Sequence, residues 1–199
     1  MPPLRTLLVG LVVGLLAGVA LPNAGAGAGA TTLTRALERS PLVVTTRGDS
    51  MNRFADVTEA EAAGYVVSSV TTPIEHWLNP RYFNDGHILD PERPEGLVYL
   101  ETGHGLRLVA AMFVMDRTGE RPPPVRGATW HDHTWCQGPG GIGIPLPGRP
   151  CPPGTSRQTG PEMLHVWMPG VAVPVFATSM APSVICRLGT SREPFGAIA

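Results

Sequence analysis

The N-terminal stretch constrains the rest of the chain most. Met1 to Arg5 carries one basic residue, Thr6 to Pro22 is uncharged and rich in Leu, Val, Gly and Ala, and Asn23 to Ala30 is a string of small residues. Positive, then apolar, then small is the order of a secretory signal peptide. Cleavage after Ala26, Ala28 or Ala30 would each satisfy a small-x-small rule. A retained membrane anchor is the competing reading. The run is short for that and is broken by Gly10, Gly14 and Gly18, whereas a spanning helix takes ~20 apolar residues. No Cys follows the run to carry a lipid. Residues 1–30 are therefore expected to be a signal peptide, and 31–199 a single exported domain, secreted or in the cell envelope, without membrane contact after cleavage.

Export sets the redox context. Disulfides persist outside the cytoplasm, and the cysteines are Cys136, Cys151 and Cys186. Cys136 and Cys151 bracket a loop dense in Gly and Pro, so closing it would remove denatured-state entropy. Cys136–Cys151 is the expected bridge, with Cys186 left over. Spacing alone also permits Cys136–Cys186 or Cys151–Cys186.

Net charge is −1, and every basic residue is Arg. The arginines are scattered and balanced by acids, so the chain lacks the basic patch of a nucleic-acid binder. A small-molecule ligand is the partner class that remains, and oligomeric state is left open.

Helical signals are confined to the first third. Thr32–Arg39 suits a short helix ended by Ser40-Pro41, and Leu42–Arg47 suits an extended segment. Thr58 with Glu61 forms a capping box for a helix over 57–63, stopped at Gly64. From Tyr65 onward the pattern is short β-like runs between turns: 65–70, then 96–101 and 106–115 as a hairpin about Thr102–Gly105, then 128–134 and 163–168. Val171–Phe176 and Val184–Cys186 are weaker strand candidates. The fold class is α+β and β-rich: a small antiparallel sheet, barrel or sandwich with short N-terminal helices.

The chemistry, if any, lies in the histidines. On a strand, residues i and i+2 share a face, so Trp130-His-Asp-His133 would present His131 and His133 together and Asp132 away from them. Met163-Leu-His-Val-Trp167 supplies His165, and Glu75-His-Trp77 supplies His76. Two imidazoles from one strand and one from a neighbour suit a divalent transition metal such as zinc or copper. His76 or Glu101 would complete the shell, and Glu75, Glu95 or Glu162 would orient it. The competing reading makes these histidines core or rim residues packed on indoles. A ligand groove lined by Trp77, Trp135 and Trp167 would belong to a non-catalytic binding module. Met112, Met115, Met163 and Met168 suit core filling better than copper. His87 and His104 fall in turns and are expected to be exposed. Cys136 near His131 and His133 could be a nucleophile, but a second Cys nearby favours the disulfide. The spacing is not the C-x-x-C of a thiol oxidoreductase. No nucleophile elbow, phosphate-binding loop or dinucleotide fingerprint is present. Whether the domain is an enzyme stays open at this level.

The blocks Ala60-Glu-Ala-Ala-Gly-Tyr65, His76-Trp-Leu-Asn-Pro80, Leu89-Asp-Pro-Glu-Arg-Pro-Glu95 with Leu97-Val-Tyr99, Gly105–Phe113, Trp130-His-Asp-His133 with Cys136, and Met163-Leu-His-Val-Trp167 stand in fixed order. Together they resemble an uncharacterised family of exported bacterial proteins of actinobacterial type. The resemblance spans roughly Ala60 to Phe176. It implies no activity or substrate. It places His76, His131, His133, Cys136 and His165 within the family's recurring motifs, and a cysteine matching Cys151 after the Gly-rich loop. The chain departs from the pattern after Trp167: relatives carry an Asn/His-Pro turn with Cys-Gly where this chain has Met168-Pro-Gly-Val-Ala-Val-Pro174.

Overall fold

A computed structural model describes residues 34–71, 73–138, 144–145, 150–171 and 173–190. Residues 1–30, expected to be a signal peptide, lie outside the described residues. No helix among those described is long and apolar enough to cross a membrane.

The chain enters through short helices. Residues 34–38 are helical, and three α-helices follow: α1 (Pro41–Thr46), α2 (Asp49–Asn52) and α3 (Val57–Ala63), with a 3-10 turn at Arg53–Ala55 between the last two. The helix over 34–38 stops before Ser40-Pro41, as expected, and Ser40-Pro41 also starts α1. Ser40 Oγ accepts the Val43 N–H at 3.4 Å, and Pro41 occupies the first turn, where a missing N–H costs nothing. The extended reading of Leu42–Arg47 followed its β-branched residues, which the cap and the burial of Val43 override. The cap of α3 is Asp56, which accepts the Thr58 N–H at 3.0 Å. Gly64 ends that helix at φ 99°, a left-handed conformation favoured by glycine.

Five antiparallel strands form the main sheet, in the order β1-β2-β3-β4-β8: β1 (Val66–Thr71), β2 (Ile74–Leu78), β3 (Gly96–Thr102), β4 (Gly105–Val114) and β8 (Met163–Trp167). A small second sheet, order β6-β5-β7, joins β5 (Thr134–Gln137), β6 (Ile144–Pro145) and β7 (Ser156–Thr159). The fold is thus α+β and β-rich, with an open sheet and no closed barrel. Ile74–Leu78, between Pro73 and Pro80, adds a strand to those expected. Two expectations need correction. Val184–Cys186 belongs to a C-terminal helix, α4 (Pro182–Thr190), which opens on a proline. Residues 128–133 are not a strand, though His131 forms an antiparallel bridge to Met163; Thr134 already belongs to β5.

Register assigns the two faces of the sheet. His76 pairs with Val98, Val98 with Ala110, and Ala110 with Trp167; one step along, Leu78 pairs with Gly96, Gly96 with Met112, and Met112 with His165. All of these side chains share one face. Trp77, Leu97, Tyr99, Phe113, Leu164 and Val166 line the other. That second face is covered by the N-terminal helices. Tyr99 donates its hydroxyl to the Phe54 carbonyl at 2.7 Å, and Val43 packs with Phe113, Leu164, Val166 and Phe176. Burying these side chains stabilises the domain by about 1.5–3 kcal/mol each.

Gly96 sits where no side chain fits. A Cβ there would lie 2.9 Å from Leu78 Cδ2 and 3.2 Å from the Trp77 carbonyl oxygen, and would strike the end of Met112. Gly96→Ala is expected to destabilise the fold by about 1–3 kcal/mol through overpacking, read as a lowered urea midpoint. Glu95 beside it is fully buried. One oxygen accepts the Val114 N–H at 3.0 Å, and the other has no partner. Burial raises its pKa from 4.5 to about 7. The native state therefore holds this proton more tightly than the unfolded chain does. Its contribution to stability is full below pH 4.5 and is lost as pH rises to about 7, up to about 3 kcal/mol at ~1.4 kcal/mol per unit. Glu95→Gln is expected to flatten that slope in denaturation curves taken from pH 4 to 8.

Candidate metal centre

Four of the six histidines meet on the face opposite the N-terminal helices. Ring centroids lie 5.2 Å apart for His131 and His133, 4.9 Å for His131 and His165, 6.4 Å for His133 and His165, 6.0 Å for His76 and His133, and 6.4 Å for His76 and His165. The meeting depends on curvature. Strands β2 and β8 have two strands between them, roughly 14 Å of backbone separation in a flat sheet. Leaning side chains close that gap to 6.4 Å only if the sheet curves around this face. Two bulges favour it: Ser68 is the extra residue against β2, and Val109 the extra residue against β3, and bulges strengthen local twist. Gly96 and Ala110 keep the middle of the face low.

Each imidazole is held differently. His165 is 3 % exposed, at the centre of β8, and its ring lies 5.2 Å from that of Trp167, tilted against it. His131 is fixed by its backbone bridge, donating to the Met163 carbonyl at 3.0 Å and accepting from the Met163 N–H at 2.7 Å. His133 follows in irregular backbone and is exposed; its carbonyl accepts the Gly160 N–H at 3.1 Å. So His131 and His133 do face together, though not as neighbours on one strand. His76 comes from β2, with Ser69 Oγ 3.3 Å from its Nδ1. The bulge at Ser68 brings Ser69 opposite His76. This contact leaves His76 Nε2 for the cluster. A hydroxyl one strand away was not read from the sequence, because only the bulge sets that register.

Both ring nitrogens of His131 and both of His165 are buried without a hydrogen-bond partner. The backbone at Thr129 and at Ala177 lies near enough to raise the two pKa values slightly, but neither reaches hydrogen-bonding geometry. The Ala177 carbonyl is already taken by Trp167 Nε1 at 2.7 Å. All four imidazoles are pushed below their ordinary pKa by burial. For His76 this is reinforced by His133 and His131, bringing it to about 4. His165 is driven well below, helped by its three neighbours. In His131 the nearby His133 adds to burial, and in both His131 and His133 Asp132 opposes it. The cluster is neutral at pH 7, the state in which imidazole binds metal.

The rings are gathered but not aimed. Among the described residues, no group of three or more His, Cys, Asp or Glu side chains is placed so that it could hold a metal ion. Two imidazoles sharing a metal at 2.0–2.1 Å have centroids about 5 Å apart. The His131–His133 and His131–His165 spacings match that distance, whereas the His133–His165 spacing and those from His76 to His133 and His165 exceed it by roughly 1 Å or more.

Other candidates lie elsewhere. Glu101 is exposed and, by register, on the face away from His76. Glu75 is on that face too and accepts Trp77 Nε1 at 2.9 Å. Glu95 binds the Val114 N–H instead of a histidine. Glu162 has a buried, unpartnered oxygen and no bond to an imidazole. Trp77 and Trp167 lie on opposite faces, so they do not line one groove with Trp135. Met112, Met115, Met163 and Met168 are buried apolar residues, and His87 and His104 are exposed.

Cys136 and Cys151 form a disulfide, and Cys186 lies exposed on α4. Cys136 stands on β5, immediately after the segment carrying His131 and His133. No protein-family model, curated protein or solved structure matches the chain.

The bridge spans 15 residues. Cys136→Ser/Cys151→Ser is expected to lower stability by about 3 kcal/mol on the loop-closure estimate, measured by thermal denaturation beside the oxidised wild type.

Proposed function

We propose that the mature chain is an exported metal-binding domain in which His131, His133 and His165, joined by His76, hold a divalent transition metal, zinc or copper. The observation that carries this is the set of four buried, unpartnered ring nitrogens on His131 and His165. Each buried polar group without a partner costs about 1–3 kcal/mol. Against a total stability of 5–15 kcal/mol, that burden calls for a ligand that satisfies the nitrogens. A packed histidine core would instead bond them to backbone or side chains. An all-imidazole donor set favours zinc, copper, iron or nickel over magnesium or calcium. Ser69 against His76 Nδ1 is the kind of outer contact that fixes a ligand's tautomer and orientation. A bound metal would supply Lewis acidity to a coordinated oxygen. Export rests on the N-terminal pattern and is consistent with the disulfide.

The expected outcome is near-stoichiometric transition metal in mature protein purified from the periplasm without a His-tag. The His131→Ala/His133→Ala double variant is expected to lose it while keeping its circular dichroism. Metal absent from the wild type even after reconstitution with zinc, copper, iron and manganese would overturn the proposal. The histidines would then be packing residues of a disulfide-tied binding module.

A further inference from the structure

We infer that this centre takes a small anionic oxygen ligand, of the carboxylate or phosphate class, as its exchangeable partner. The inference rests on the metal reading above and goes to what the metal binds.

It follows from what surrounds the four rings. Every acidic residue of the chain except Glu193 lies among the described residues. Of these, Asp132 stands between His131 and His133 in the chain with its side chain exposed, and Glu162, next to the His131–Met163 bridge, makes no bond to an imidazole. Glu75 is occupied by Trp77 Nε1, Glu95 by the Val114 N–H, and Glu101 faces away. Cys136, the nearest thiol in sequence, is locked in its disulfide. The donor set is therefore neutral throughout. A divalent ion held by it keeps its full charge, whereas a centre with carboxylate or thiolate ligands is partly neutralised.

An uncompensated double charge beside a buried wall is costly, and the ion's own charge dominates the local field. An anion offsets that charge; a neutral ligand of the same size does not. The route in is defined by burial. His165 forms the floor at 3 % exposure, and His133 is exposed at the mouth. A ligand would approach beside His133, past Asp132, whose negative charge weakens anion binding from outside.

The test loads the mature chain with cobalt(II), verifies its metal content, and follows its visible bands while acetate, inorganic phosphate or neutral acetamide is added. Acetate and phosphate are expected to shift the bands saturably, and acetamide to leave them unmoved. Asp132→Asn, an exposed substitution outside the donor set, is expected to tighten acetate binding several-fold. Stoichiometric cobalt whose bands respond to no anion, or respond equally to acetate and acetamide, would overturn the anion inference and leave the metal site standing. Failure to hold cobalt at all would overturn the metal reading, and this inference with it.

Discussion

At Gly96 three strands come together with no room for a Cβ. The Leu78 side chain and the Trp77 carbonyl approach from β2, and the Met112 side chain from β4. A side chain here would push the two neighbours of β3 outward. With hydrogen there, and with Ala110 diagonally across, the face between His76 and His165 stays low. The extra residues at Ser68 and Val109 add twist. The sheet can then bring β2 round towards β8, and residues separated by two strands become neighbours. The histidine cluster is a product of this curvature more than of any local motif.

The opposite face explains why the curvature holds. Tyr99, Phe113, Leu164 and Val166 are covered by short helices, which are tied down by specific bonds. Tyr99 reaches the Phe54 carbonyl, Arg47 donates to the Trp167 carbonyl at 2.7 Å, and Arg47 also pairs with Glu38. The Arg47–Trp167 bond links the N-terminal helices to the strand that carries His165, and the Arg47–Glu38 pair ties two helical segments to each other. The helices that form the core thus also anchor the backbone beneath the deepest imidazole.

Much of this was legible in the sequence, and the misses have physical causes. The hairpin about Thr102–Gly105, the β8 strand, the Gly64 stop and the Cys136–Cys151 pairing follow from turn chemistry, alternation and loop length, which are local properties. Leu42–Arg47 and Val184–Cys186 were misread because β-branched residues in short runs resemble strands; helix starts at Ser40-Pro41 and Ala181-Pro182 carried the opposite signal. His131 and His133 were placed together for a reason that does not apply, since their segment pairs through His131 alone. Spacing alone leaves His76 and Glu101 as alternatives for joining them. Choosing between the two requires the parity of β3 against β2, which puts Glu101 on the far face, and parity depends on pairing register, not on spacing. Ser69 is the clearest case, since its place opposite His76 exists only because of a bulge.

The proposed site and the stability of the domain are linked through the unpartnered nitrogens. Without a ligand, the cluster holds four buried nitrogens that no protein group satisfies, and they subtract from a stability of ordinary size. A ligand that binds the folded state alone returns that free energy according to its concentration over its dissociation constant. The apo domain must therefore be held together by features independent of the site. The disulfide is one such feature, constraining the chain just beyond His131 and His133. The helix-covered face is another. Such a division lets the histidine face remain under-satisfied without unfolding: the covered face and the bridge hold the scaffold, and the curved face keeps its nitrogens available.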